Sequence, residues 1–172
     1  KAKYGFKVIE DATEALGSYI VSGPLAGKFA GTMGDVGAFS FNGNKIITSS
    51  GGGMLITADK AARDKALFWA TQSREQAPWY QHEELGYNYR MSNIIAGIVR
   101  GQYEHVDEHI ARKKAIYERY REGLKELPIT MSPYNKETME PNFWLSCMII
   151  DNEAMCKQIR SETEAMYISE AG

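Results

Sequence analysis

The sequence has little with which to cross-link itself or hold a metal. Its two cysteines, Cys147 and Cys156, have a spacing that fits neither a CxxC redox pair nor a zinc site, so both read as reduced thiols. Of the three histidines, His105 and His109 are i, i+4 neighbours. They lack the HExxH order and a third ligand, and read as a solvated helix face. No apolar run reaches the roughly 18 residues of a membrane span, and the N-terminus shows no signal-peptide pattern, so a soluble, cytoplasmic chain is expected. A net charge of -2 gives no basic surface for nucleic acid or anionic lipid. Phosphate-binding glycine motifs are missing too. Gly43 and Lys45 are separated by Asn44 alone and followed by Ile46, unlike GxxxxGK[ST], and no GxGxxG follows a strand. Repeats and low-complexity segments are also absent.

What is present is enough apolar sequence for a core, 44% of 172 residues, arranged as alternating strands and helices. Residues 1–4 read as the tail of a helix stopped at Gly5. Residues 6–10 read as a short interior strand with Asp11 just past its carboxyl end, where it is either the N-cap of the following turn, a ligand contact of the kind found there in open α/β sheets, or both. A helical turn over 12–17 and a glycine-rich loop or hairpin over 18–34 follow. Residues 36–41 form a second strand, and 54–57 a third. A helix is expected over 58–72, capped by Asp59, then a long loop over 73–85. Ser92 caps a long helical stretch, 93–127, ended by Pro128. A strand over 143–150 and a helix over 151–165 complete the chain.

The stretch 34–53, GDVGAFSFNGNKIITSSGGG, stands out because it delivers Lys45 between two strands. A surface lysine on a hairpin is one reading, and an amine nucleophile that forms a Schiff base with a carbonyl compound or with pyridoxal 5'-phosphate (PLP) is the other. A PLP site needs a lysine, an acid beside the pyridine nitrogen and donors for the phosphate. Lys45, Asp11 and Ser40 supply one of each, and the carboxyl ends of parallel strands would bring them together. A lysine aldolase would need a barrel of repeated βα units, which the helix-rich middle does not show.

The blocks EDATEALGS (10–18), GDVGAFSFNGNKIITSSGGGM (34–54) and LGYNYRMSNIIAGI (85–98) resemble the DegT/DnrJ/EryC1/StrS nucleotide-sugar aminotransferases. The resemblance runs from about residue 5 to 150. It implies an α/β, aspartate-aminotransferase-like (fold type I) structure and PLP-dependent transfer of an amino group, usually from glutamate, to a keto-sugar nucleotide. Lys45 matches the Schiff-base lysine, Asp11 the pyridinium partner and Ser40 a phosphate-binding serine. Glu14 falls where the family commonly has Gln or His near the cofactor's ring hydroxyl. Asn88 matches an asparagine that reaches the neighbouring subunit's cofactor, which implies a homodimer with shared sites. Arg90 is carried over as a contact for substrate anions. Lysine rather than histidine at position 45 favours transamination over dehydration.

The wording of the first two blocks is most similar to that of enzymes making 4-amino-4,6-dideoxy sugars for surface glycans. On the same resemblance, residues 1–92 are part of the PLP-binding large domain, 93–127 a connecting helical region, and 128–172 the start of a small domain. The family's N-terminal part and most of its C-terminal lobe have no counterpart here. The chain is therefore expected to be a piece of a larger protein, with exposed apolar faces, weak cofactor binding by itself and no useful turnover. A non-catalytic fragment or interaction module on the same fold is the alternative.

Overall fold

The computed structural model describes residues 3–150 and 152–170. Its centre is a three-stranded sheet of β1 (Ile9–Asp11), β3 (Val36–Ser40) and β4 (Gly53–Ile56), in the order β1-β3-β4. β1 and β3 run parallel with Asp11 opposite Ala38. β4 returns antiparallel, placing Ser40 opposite Gly53. The residues between β3 and β4 thus form a long hairpin loop, and Lys45 lies on it.

The expected interior strand over 6–10 is corrected. Strand pairing begins at Ile9, β1 is an edge among the described strands, and Phe6 and Ile9 are exposed. Before Ile9 the chain is caught instead by Asp35. Its backbone N–H donates to the Val8 carbonyl at 2.8 Å, and its carboxylate accepts the Val8 N–H at 2.9 Å. Asp11 is accordingly the last residue of the strand and not the first after it. Of the expected helix tail over 1–4, residues 1 and 2 lie outside the described residues, and Lys3 and Tyr4 form a turn.

Alternation along a strand sends neighbouring side chains to opposite faces, so Glu10 points away from Asp11. Its carboxylate accepts the backbone N–H groups of Gly31, Met33 and Gly34, and that holds down the glycine-rich 18–34 segment. This segment also contributes β2 (Tyr19–Ile20), paired antiparallel with β6 (Met139–Glu140). Close approach there requires glycine at 37, because a Cβ would sit 2.0 Å from the Gly31 carbonyl oxygen.

Helix α1 (Lys60–Ala70) starts as expected at Asp59, whose side chain accepts from Ala61 and Ala62. It stops short of the expected 72 because Gln72 and Ser73 take positive φ values of 68° and 49°. Buried Ser73 then donates to the Leu85 carbonyl at 3.0 Å, closing the base of the 73–85 loop. The expected long helix is two: α2 (Asn93–Tyr103), capped by Ser92 through the Ile95 N–H, and α3 (Val106–Gly123). The apolar period runs through the break at Glu104 and His105 because Val99 and Val106, one on each helix, both meet the core of Phe41 and Ile47.

Beyond α3, β5 (Ile129–Met131) pairs antiparallel with β7 (Met148–Ile150), and α4 (Glu153–Glu170) follows. Only the last three residues of the expected 143–150 strand are extended in a ladder. Phe143 has φ 53° and turns inward to meet Tyr117 and Tyr134, each at a ring-centroid distance of 5.2 Å. The last helix starts and ends later than its expected bounds of 151 and 165, and residue 151 lies outside the described residues. Apolar side chains such as Met54, Leu55, Ile94 and Ile98 are exposed.

Replacing Glu10 by Ala leaves three loop N–H groups without their charged acceptor. Urea unfolding of the full-length protein should show a loss of about 1–3 kcal/mol; an unchanged midpoint would mean that water replaces the carboxylate without penalty.

Candidate active site at the carboxyl ends of β1 and β3

The loop after β3 is fixed from both sides of Lys45. On its C-terminal side, Ile46 and Ile47 are 8% and 1% exposed. The Thr48 N–H donates to Gln102 Oε1 at 2.8 Å, and the Ile46 carbonyl accepts from His109 Nδ1 at 3.2 Å. That contact corrects the expectation for His109: it is half-buried and ties α3 to the lysine loop, while His105 stays exposed. On the N-terminal side, the Lys45 N–H donates to the Asn42 carbonyl at 3.0 Å, and Asn42 Nδ2 donates to Asn44 Oδ1 at 3.1 Å.

With its backbone held, the Lys45 side chain is only 12% exposed. Its Nζ lies 3.2 Å from Glu14 Oε1. On another side it stands 4.3 Å from the centroid of the Trp144 ring, within cation–π range. Glu14 comes from the short turn after β1, where Asp11 also sits. Asp11 Oδ1 accepts the Thr13 hydroxyl at 2.7 Å and the Thr13 N–H at 3.2 Å, an Asx-type turn. Those two bonds, the hydroxyl first, hold the Asp11 carboxyl below its ordinary range, against a small desolvation effect and with help from the Lys45 charge. Ser40 ends β3, and its Oγ accepts the Asn42 N–H at 3.3 Å.

The structure therefore brings Asp11, Glu14, Ser40 and Lys45 to one end of the parallel pair. Asn88 and Arg90 lie elsewhere, on an exposed segment strapped to the end of α1 by the pairs Gln72 N–H to Tyr87 carbonyl and Tyr89 N–H to Ala70 carbonyl. Among the described residues no hydrogen bond or ion pair joins either side chain to the Lys45 cluster. Sequence reasoning missed Thr13, Asn142 and Trp144. Thr two residues after Asp is a turn signal that could have found the first. Trp144 sits in the segment read as plain strand, and Asn142 just before it.

An ionised carboxylate, a primary amine and a hydroxyl at the carboxyl ends of parallel strands make an α/β site of the kind that holds a charged aromatic cofactor. The donor set fits PLP: an anion for a protonated ring nitrogen, an amine for its aldehyde and a hydroxyl for its phosphate. The sequence profile described as the DegT/DnrJ/EryC1/StrS aminotransferase family matches residues 1–170, and the chain belongs to that family. It is 47% identical over 149 residues to EpsN of Bacillus subtilis (strain 168), a protein assigned by name to the pyridoxal phosphate-dependent aminotransferases. The match covers 87% of this chain and 37% of that protein. It is 39% identical over 151 residues to the GDP-perosamine synthase of Vibrio cholerae, covering 88% and 40% of the two chains. The fold matches the aminotransferase TlmJ from Streptoalloteichus hindustanus with a TM-score of 0.82 at 24% identity, over 94% of this chain and 44% of that one. The chain thus spans about two fifths of the length of these curated relatives, and its α/β architecture is part of the PLP-dependent aminotransferase fold.

Thr13→Val removes the stronger of the two bonds to Asp11. Carbon-13 NMR of the full-length protein should show the Asp11 carboxyl titrating at a higher pH than in the unmodified protein. The sign follows from the depressed folded-state value. Asp11 stabilises the fold above its unfolded-state pKa, and that contribution fades as pH falls through the lower folded-state value. In the variant that contribution is smaller, and its loss is complete at a higher pH. An unmoved titration would remove Thr13 from the site.

Proposed function

We propose that the protein containing these residues is a PLP-dependent aminotransferase that moves an amino group, from glutamate, onto a keto-sugar nucleotide in the biosynthesis of surface-glycan sugars. The observation that carries this reading is the Lys45 amine, nearly enclosed, beside Asp11 and Glu14 at the end of β1 and β3. The similarity to a GDP-perosamine synthase supports a sugar substrate, of the 4-amino-4,6-dideoxy class. PLP, when bound, supplies a ring that accepts the electrons released when a substrate carbon loses its proton.

The roles of the chain's own residues follow. Asp11, kept anionic by Thr13, holds a proton on the ring nitrogen. Ser40 donates its hydroxyl to the phosphate. The Lys45 amine would hold the cofactor through its aldehyde and would serve as the base, and then the acid, for the proton on the substrate carbon. Glu14 steadies that amine through its ion pair and would be a contact for the ring hydroxyl. Asn88, exposed and outside the cluster, reaches the cofactor of a second subunit in a homodimer, and Arg90 meets substrate anions. Residues 1–92 belong to the cofactor-binding domain, 93–127 connect, and 128–172 begin the small domain. Among the described residues no helix is long and apolar enough to cross a membrane, in keeping with a cytoplasmic enzyme.

The test is borohydride reduction of the full-length protein loaded with PLP, followed by peptide mapping. A pyridoxyl group on Lys45 is expected, and Lys45→Arg should lower kcat by about 10²–10⁴-fold, the range for loss of a positioned acid–base group. A pyridoxyl group on another lysine overturns the assignment.

A further inference from the structure

We propose that Trp144 is a positioning residue for Lys45, whose indole face and Glu14 hold the amine between them whenever it is not bonded to cofactor. The proposal rests on the reading of Lys45 as the cofactor lysine. A flexible four-carbon side chain released into a site would otherwise explore many rotamers and lose its aim at the reacting carbons.

The placement of Trp144 is specified by more than packing. Its Nε1 donates to the carbonyl of Asn44, the residue before the lysine. Its backbone N–H donates to Asn142 Oδ1 at 3.0 Å. Asn142 is 4% exposed, and the rest of its hydrogen-bonding capacity goes to the turn after β1. Its Nδ2 donates to the carbonyls of Glu14 and Leu16 at 2.9 and 3.0 Å, and its backbone N–H to Ser18 Oγ at 3.0 Å. One buried amide therefore ties the tryptophan to the same turn that presents Asp11 and Glu14.

Between Asn142 and Trp144 the chain takes up strain. Phe143 has φ 53°, a region that a bulky side chain occupies only when its surroundings enforce it. The turn sends Phe143 into the Tyr117 and Tyr134 cluster and Trp144 the other way, over the ammonium. An indole that merely filled space would require neither the left-handed residue nor the two directed hydrogen bonds. With Glu14 at 3.2 Å and the ring centroid at 4.3 Å, Nζ is held electrostatically from two directions.

The test compares Trp144→Phe, which keeps an aromatic face, with Trp144→Leu, which keeps apolar bulk alone. Full-length protein freed of cofactor is pulsed with acetic anhydride, and acetylation at each lysine is read by peptide mass spectrometry, with exposed Lys60 and Lys157 as internal references. Lys45 labelling should rise about fivefold in the Leu variant and stay within twofold of the unmodified protein in the Phe variant. In the loaded enzyme the Leu variant should lose kcat about tenfold, with the KM for the amino donor within twofold. Equal Lys45 labelling in the two variants, with circular dichroism unchanged, overturns the proposal. Should the Leu variant fail to fold, Lys45→Met in an otherwise unmodified protein must shift the indole N–H NMR signal of Trp144, and an unmoved signal overturns the proposal equally. A borohydride map placing PLP on another lysine defeats the functional assignment alone, because labelling without cofactor still reports the contact between Trp144 and Lys45.

Discussion

The burial of Ile46 and Ile47 is the constraint on which the rest of the site depends. A charged side chain on a long hairpin loop would ordinarily swing into solvent. Here Ile47 is sunk against Phe41 and Val99, and buried Ile46 is tied through its carbonyl to His109 of α3, so the loop cannot lift without exposing both. Burying side chains of that size is worth about 1.5–3 kcal/mol each. The hydrogen bonds from Thr48 to Gln102 and from His109 to the Ile46 carbonyl add direction to that anchorage. Apolar burial sets where the loop lies, and the polar contacts set its register, which is how a lysine comes to be 12% exposed on a loop.

β1 divides its labour between two adjacent acids. Glu10 and Asp11 face opposite sides of the sheet, and each carboxylate is spent on backbone or hydroxyl donors before any partner arrives. Glu10 gathers three N–H groups of the 31–34 turn, while among the described residues Asp11 takes only the two donors of Thr13. A carboxylate accepts about four hydrogen bonds, so Asp11 keeps capacity for a cationic partner that Glu10 has largely used. Two carboxylates one position apart thus differ in what they have left to offer: Glu10 is committed to the 31–34 turn, and Asp11 keeps acceptor capacity at the end of the strand.

Local signals were legible in the sequence. Asp59 and Ser92 begin helices as their side chains dictate, the strand at 36 stops one residue before its expected end, and Lys45 falls in the loop that the glycines and asparagines mark. The errors arose where distant partners decide. The run from Phe6 reads as an interior strand, yet the side chain of Asp35 captures its backbone before a ladder forms. Hydropathy cannot see the break at Glu104, because residues on both sides of it meet one core. His109 looks solvated from its charged neighbours, and its contact to Ile46 spans 63 residues of sequence. Glu14, Asp11 and Ser40 came together where the parallel ends were expected to meet. Asn88 and Arg90, carried over from resemblance alone, have no hydrogen bond or ion pair to that cluster among the described residues.

The surroundings of Lys45 are consequently assembled from four places: the turn after β1, the loop after β3, the start of α3 and the segment before β7. Local pattern can predict the first two, since each follows a strand and carries its own turn residues. The other two are specified by what they touch. Asn142 and Phe143 illustrate why such specification is hard to read. Taken alone, a polar residue followed by aromatic and apolar ones suggests a strand entering a sheet. Only when the amide of Asn142 finds the carbonyls of Glu14 and Leu16, more than 120 residues away in sequence, does the chain gain a reason to turn left-handed at Phe143. That turn places Trp144 over the lysine. Because the same amide holds both the tryptophan and the turn bearing Asp11 and Glu14, a disturbance of Asn142 moves two sides of the site together. The far segment is therefore a wall of the site.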